Sequence, residues 1–250
     1  MAKNKYIKKF GLVGKNIDYS FSRNYFSSKF ERENKKDYVY VNFDLENIDQ
    51  FKKILKSRPL PLGLNVTTPY KKKIIPFLDQ LSAEAEAIQA VNTIVWDANG
   101  KVVGHNTDHI GFEKALTESI NKNPKKALVL GTGGASNAVK FVLDKINCSF
   151  SFVSRNPNEN QLSYNEITKE LLDKIDLIVN TTPLGTFPNV NQAPSIPYKY
   201  LSTKQFLFDL IYNPEETKFL EQGRIQGTKI SNGYKMLVYQ AEKSWKLWNQ

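Results

Sequence analysis

The residues of this chain best equipped for chemistry begin with Asn65-Val66-Thr67-Thr68-Pro69-Tyr70-Lys71, where an amide, a hydroxyl and an ammonium fall within seven positions. The apolar run Leu60-Pro61-Leu62-Gly63-Leu64 before them reads as a short strand. Pro69 has a fixed φ and no N–H, so it suits a first helical position, with Thr68 as N-cap. Lys71 would then stand in a first helical turn, where the positive end of the helix dipole disfavours a cation. A lysine held against that field needs a compensating anion or a task. Read alone, the same residues also fit an ordinary surface strand, loop and helix.

A second set follows the buried run Ala127-Leu128-Val129-Leu130: Gly131-Thr132-Gly133-Gly134-Ala135-Ser136 is a Gly-rich turn leading into a helix. Glycines let a backbone approach a pyrophosphate, and the helix N-terminus offers N–H donors. Ser136 departs from the Gly or Ala usual at the third position of that fingerprint. A dinucleotide site of the NAD type places an acid at the end of the next strand. Here that strand ends in Ser154-Arg155-Asn156, and an arginine there can stack on adenine and pair with a 2′-phosphate. NADP is therefore expected over NAD. A tight strand–helix turn with a solvated arginine is the plain alternative.

Four further polar clusters stand at expected element ends: Ser20-Phe21-Ser22, Ala90-Val91-Asn92-Thr93, Gly104-His105-Asn106-Thr107-Asp108, and Gly233-Tyr234-Lys235-Met236-Leu237 followed by Gln240. Taken singly, each has an ordinary reading as a helix cap, strand end or first-turn acid. Other chemistries lack support. His105 and His109 are the only histidines and Cys148 the only cysteine, so no metal site is expected. Both histidines are expected on the surface or in loops. No nucleophile-elbow signature accompanies a serine.

The elements that must position these groups alternate from end to end. Strands are expected at 10–14, 38–43, 60–66, 91–96, 101–104, 127–130, 150–153, 175–179 and 206–210. Helices are expected at 22–35, 48–56, after Pro69, after Ser82, and at 108–121, 133–146 and 233–248. Asn99-Gly100 is a hairpin signal. Alternation of this kind implies an α/β chain with a mainly parallel sheet. The proline-rich stretch Thr181–Pro197 reads as a long functional or mobile loop.

The 250 residues allow one large domain or two modest ones. The chain is 40% hydrophobic and 24% charged, as globular proteins are. No apolar run approaches the ~20 residues of a membrane span. Met1–Lys5 is basic, but Lys8-Lys9 interrupts any apolar core of a secretion signal. A single cysteine points to a reducing cytoplasm. The net charge of +10 comes from scattered lysines with only five arginines, which argues against base or phosphate readout of nucleic acid.

Taken together, the motifs S-x-S at Ser20–Ser22, N-V-T-x-P-x-K at Asn65–Lys71, A-V-N-T at Ala90–Thr93, N-T-D at Asn106–Asp108, G-x-G-G-A-S at Gly131–Ser136 and G-x-x-M-L…Q at Gly233–Gln240 occur in one order. On them the chain resembles the shikimate dehydrogenase family, across essentially its full length. The resemblance implies a two-domain α/β enzyme: a substrate domain over 1–106 completed by the C-terminal helix 233–250, and a Rossmann-type NADP domain over 107–232. It implies NADPH-dependent reduction of 3-dehydroshikimate to shikimate, with Lys71 and Asp108 as the catalytic pair. Substrate positions carried over are Ser20, Ser22, Asn65, Thr67, Asn92, Tyr212 and Gln240. Cofactor positions are Gly131, Thr132, Gly133, Gly134, Ala135, Ser154, Arg155, Asn156, Leu210, Gly233 and Met236. The departures are Thr132 for Ala, Ser154-Arg155-Asn156 for Asn-Arg-Thr, and Ser231-Asn232 for an acid before Gly233. The partners implied are a small-molecule substrate, no nucleic acid and no membrane, in a monomer or homodimer. An NAD-using quinate/shikimate dehydrogenase, a non-catalytic shikimate-binding relative and a nucleic-acid-binding protein are the competing readings.

Overall fold

The computed structural model describes residues 7–18 and 20–250, so the basic Met1–Lys5 stretch lies outside the described residues. The described residues form two compact units, one of those up to 107 with 241–250 and one of residues 108–240.

In the first unit, β1 (Lys8–Gly14), α1 (Phe21–Arg32), β2 (Tyr38–Asp44), α2 (Phe51–Leu55), β3 (Gly63–Val66), β4 (Gln80–Leu81), α3 (Ala83–Ile88), β5 (Thr93–Trp96) and β6 (Val102–His105) follow in order. The sheet runs β2-β1-β3-β5-β6-β4. It is mixed: β1 pairs in parallel with β2 and β3, β3 with β5 and β5 with β6 are antiparallel, and β4 joins β6 in parallel. The β5–β6 hairpin closes at Asp97–Gly100, where Gly100 takes φ +77° and the Asp97 carboxylate accepts the Asn99 and Lys101 amides. Ser82 caps α3 as expected, its hydroxyl accepting the Ala85 N–H.

No helix follows Pro69. The peptide before it is cis, and the Tyr70 N–H closes a turn on the Thr67 carbonyl at 2.9 Å. Only a one-turn 3-10 helix forms, at Ile75–Phe77. The segment is held by burial instead, with Tyr70 2% and Ile74 0% exposed and the Tyr70 hydroxyl donating to the Leu45 carbonyl at 2.6 Å. Lys71 therefore does not stand in a helix dipole, and the electrostatic conflict expected for it is absent.

The second unit contains α4 (Asp108–Ser119), β7 (Lys126–Leu130), α5 (Gly134–Lys145), β8 (Ser149–Ser154), β9 (Gln161–Ser163), α6 (Lys169–Leu172), β10 (Leu177–Asn180), β11 (Phe206–Asp209), α7 (Lys218–Ile225) and β12 (Lys229–Ser231). Its sheet is parallel throughout, in the order β12-β11-β10-β7-β8-β9. Counted from β7, that is the 3-2-1-4-5-6 order of a Rossmann sheet, which reverses direction between β7 and β10. Both faces are buried. Ala127, Val129, Leu177, Val179, Phe206 and Phe208 turn to one core, with Phe112 and Val139. Leu128, Leu130, Ile178 and Leu207 turn to the other, with Phe219 and Leu172. Alternation with apolar residues at both phases is what a doubly covered strand requires. As expected, no helix or strand occupies Thr181–Pro197.

The last helix, α8 (Tyr234–Trp248), is divided. Met236 is 7% exposed and packs in the core of the second unit with Phe112 and Phe208. Ala241 and the rings of Trp245 and Trp248 belong to the aromatic core of the first unit, with Phe10, Phe26 and Phe30. The sequence expectation assigned all of 233–250 to the first domain; the compact units part at Gln240 and Ala241 instead. No helix among the described residues is long and apolar enough to cross a membrane.

Candidate active site

In the first unit, most of the expected substrate residues lie along one hydrogen-bonded framework at the carboxyl ends of β1 and β3. Ser20 is the N-cap of α1, its hydroxyl accepting the Ser22 amide at 3.2 Å. Ser22 adjoins the Tyr40 hydroxyl. Tyr40 is 5% exposed, and burial pushes its phenol well up, so it stays a neutral donor; it donates to Asn65 Oδ1 at 2.8 Å. The Asn65 amide nitrogen has three acceptors within reach: the Asn92 carbonyl at 3.1 Å, Thr93 Oγ1 at 3.3 Å and Ser244 Oγ at 3.0 Å. An amide has two N–H donors, so Asn65 is fully engaged by the protein on its donor side.

Asn92 lies next in this network. Its Oδ1 accepts the Thr107 amide at 2.7 Å and its Nδ2 donates to Thr107 Oγ1 at 3.0 Å. Ser244 of α8, 0% exposed, ties the cluster together through Thr93 Oγ1 at 2.7 Å and Thr107 Oγ1 at 3.2 Å. Thr67 is half-buried, its amide donating to the Val13 carbonyl at 2.9 Å. The Lys71 carbonyl accepts the Val91 amide at 2.8 Å, which anchors the lysine backbone beside the Asn92 strand entry, and the residue is half-buried. Tyr40, Thr93, Thr107 and Ser244 were not expected as site residues. Their partners are up to 179 positions apart in sequence, so no local pattern marks them.

In the second unit, Asp108 opens α4 and is 5% exposed. A carboxylate in a first helical turn is favoured by the dipole. Within one turn, Gly111 meets α8 so closely that a Cβ would lie 2.4 Å from the Met236 carbonyl and 3.1 Å from Gln240 Cβ. Gln240 is 8% exposed, its amide nitrogen Nε2 donating to the Leu237 carbonyl at 2.9 Å. His109, expected on the surface or in a loop, is instead 8% exposed within α4, its ring edge-on to Phe141 at 5.1 Å. Helical periodicity turns it toward α5. His105 ends β6 half-buried, and burial lowers its pKa.

The Gly-rich turn lies where the sheet order reverses. A cleft of about 480 Å³ is lined there by Gly131, Thr132, Gly133, Ser154, Arg155 and Asn156, all expected. Tyr164 and the run Thr181–Leu184 complete it. Gly131 takes φ +102°, and a Cβ would stand 2.9 Å from Thr181 Oγ1, so only glycine suits the position. A Cβ at Gly133 would meet nothing, so the turn there faces open space. Gly133 is the N-cap of α5 and offers no side-chain cap, leaving first-turn amides to an external acceptor. Gly134 and Ala135 form that turn, and Ser136 turns its hydroxyl back to the Gly133 carbonyl at 2.7 Å, which is how a serine fits the third fingerprint position. Arg155 is exposed at the cleft mouth.

Leu210, Tyr212, Gly233 and Met236 do not line this cleft. Leu210 and Tyr212 follow β11, and Gly233 is pressed on Leu210: a Cβ there would lie 2.1 Å from the Leu210 carbonyl. Cys148 is 3% exposed with its thiol pushed up to about 11 by burial, which leaves it inert. Among the described residues no group of three or more His, Cys, Asp or Glu could hold a metal ion.

The arrangement is that of a nucleotide cleft at a strand-order reversal in one unit and a network of amides and hydroxyls beside a lysine in the other. Comparison with known proteins agrees. Residues 12–94 match the shikimate dehydrogenase substrate binding domain family. The chain is 38% identical over 259 residues to the shikimate dehydrogenase (NADP(+)) of Methanococcus vannielii, covering 95% of this chain and 90% of that one. A solved shikimate dehydrogenase in complex with NADP+ superposes with a TM-score of 0.84 at 33% identity, over 97% of this chain and 90% of that one. The Thermus thermophilus enzyme in complex with NADP(H) and shikimate gives a TM-score of 0.84 at 28% identity, over 97% and 93%. By sequence over nearly its whole length, the chain belongs to the shikimate dehydrogenase family.

Proposed function

We propose that the protein is an NADP-dependent shikimate dehydrogenase, interconverting 3-dehydroshikimate and shikimate in the route to aromatic amino acids. The observation that carries this reading is the cleft at the β7–β10 reversal, with Gly131 at positive φ, an uncapped α5 N-terminus and Arg155 at its mouth. Those features fit a pyrophosphate and a 2′-phosphate. The bound nicotinamide supplies the hydride.

The chain's own residues then handle position and proton. Ser20 and Ser22 present hydroxyls suited to the substrate carboxylate. Asn92, Thr67 and Gln240 suit the ring hydroxyls, which both donate and accept. Asn65 supports them, since its amide braces Asn92 and Thr93. Tyr212 is assigned to the substrate, and Leu210, Gly233 and Met236 to the nicotinamide end, on family likeness. Lys71 delivers a proton to the carbonyl oxygen as the alkoxide develops, and takes it from the C3 hydroxyl in reverse. Asp108 carries the opposite charge that orients and balances the ammonium. The substrate-binding role belongs to the first unit and the NADP-binding role to the second. The protein works in the cytoplasm as a monomer or homodimer.

Absorbance of NADPH formed from shikimate and NADP+ tests the reading directly. Faster turnover with quinate and NAD+ would favour the related quinate/shikimate activity. Tight shikimate binding without turnover would make the protein a non-catalytic relative.

A further inference from the structure

The Thr181–Leu184 run walls the nucleotide cleft, yet it is irregular backbone without a helix or strand. Its shape is set from below. The Thr182 amide and hydroxyl both donate to Asn180 Oδ1, at 3.0 and 2.7 Å, and the Leu184 amide bonds Thr182 Oγ1 at 3.3 Å. This works only while Asn180 points its oxygen at Thr182. An amide side chain can flip, and a flipped Asn180 would face two donors with two more.

The other end of Asn180 prevents the flip. Asn180 and Asp209 are register partners at the carboxyl ends of β10 and β11, and both are 0% exposed. Asn180 Nδ2 donates to Asp209 Oδ1 at 3.0 Å. Asp209 Oδ1 also accepts the Ile211 amide at 3.0 Å, and Oδ2 accepts the Thr217 hydroxyl at 2.6 Å. Thr217 in turn caps α7. Tyr198 is the other titratable group facing this carboxyl, and its own hydroxyl donates to the Pro194 carbonyl at 2.8 Å. No lysine or arginine pairs with Asp209 among the described residues. A buried carboxyl without a cation is costly and calls for a task.

We infer that Asp209 and Asn180 are positioning residues for dinucleotide binding: the carboxyl fixes the Asn180 amide, and the amide holds the Thr181–Leu184 wall in the shape that receives the cofactor. This rests on the NADP reading of the cleft. The same carboxyl holds the turn after β11 through Ile211, so one group organises two loops at the strand ends.

The test is titration calorimetry of NADP+ and of shikimate, each alone, on folded variants checked by melting. Asn180→Ala should weaken NADP+ by about tenfold, the loss of a hydrogen bond to a charged group partly offset by relaxation, and leave shikimate within about twofold. Thr182→Val should weaken NADP+ by about threefold, and should add nothing in the Asn180→Ala background. Asp209→Asn should retain NADP+ affinity within about twofold, because its amide oxygen can face Asn180 and its nitrogen Thr217. Unchanged NADP+ affinity in Asn180→Ala, or equal loss for NADP+ and shikimate, overturns the inference. Should Asn180→Ala not fold, unchanged affinity in Thr182→Val overturns it instead. Wild-type protein that binds no NADP+ would defeat the functional reading itself, a result separate from any of these.

Discussion

Replacing Arg155 by alanine isolates the 2′-phosphate. The guanidinium is exposed at the end of β8, at the mouth of a cleft whose floor is glycine backbone. Among the described residues it forms no ion pair, so its charge is available to a ligand. In water-like surroundings a unit charge pair about 4 Å apart is worth ~1 kcal/mol, and a phosphate near two charges about twice that. A hydrogen bond to a charged group is worth ~1.5–3 kcal/mol where solvent is excluded. Exposure places Arg155 at the lower end, so about 2 kcal/mol is expected, a rise of roughly thirtyfold in the dissociation constant of NADP+. NAD+ lacks the phosphate and should lose only the stacking of the guanidinium on adenine, about threefold or less. Titration of both dinucleotides against wild type and Arg155→Ala gives the four constants needed. The selective loss should also shrink as salt is raised, because the group is exposed. Equal weakening of NADP+ and NAD+ would refute the phosphate argument, and with it the structural basis for preferring NADP.

Lys71→Ala should cut turnover by far more than it weakens shikimate, and Asp108→Asn should do likewise; turnover near wild type in either variant, by the NADPH absorbance assay, would sink the proton-transfer scheme. Ser244→Ala removes a hydroxyl shared by Asn65, Thr93 and Thr107 and should destabilise the protein by about 1–3 kcal/mol in urea unfolding. Burial lifts the Asp209 carboxyl from its ordinary 3.8 to about 6, so the folded state holds a proton that the unfolded state releases between those values. Stability from this group therefore falls as pH rises through that window, by on the order of 3 kcal/mol in full, and Asp209→Asn should gain on wild type above about pH 6 and lose that advantage toward pH 4. Cys148, buried with its thiol near 11, should resist thiol reagents in the native protein, with reaction appearing only on unfolding.

The parts legible in the sequence were those written locally. Ala127–Leu130, buried at both phases of its alternation, announces a covered parallel strand, and Gly131 next to it announces the turn. Ser82 and Asn99-Gly100 fixed a cap and a hairpin in the same way. Strands as short as β4, β9 and β12 carry two or three residues and no period to detect. The segment after Pro69 misled because proline suits a turn as well as a helix start, and the choice was made by burying Tyr70 and Ile74. The case for the lysine thus rests on the ordered motifs, not on a dipole. The split of α8 was hidden because Met236 and Trp245 are both apolar and differ only in which core receives them. The Tyr40–Asn65–Ser244 bonds join three distant segments, which spacing cannot reveal.

That split in α8 bears on how the chain is made. The first unit's aromatic core needs Trp245 and Trp248, and Gly63 leaves space that the Trp248 ring fills, a Cβ there falling 2.2 Å from it. The second unit needs nothing beyond Gln240. During synthesis from the N-terminus, the unit translated first is therefore the unit completed last, and its sheet must wait with Phe10 and Phe26 only partly covered while the parallel sheet is being made. A chaperone that shields apolar surface has its longest window on residues 7–107, and any stall before the final turns of α8 leaves a nascent chain with one finished half and one sticky one.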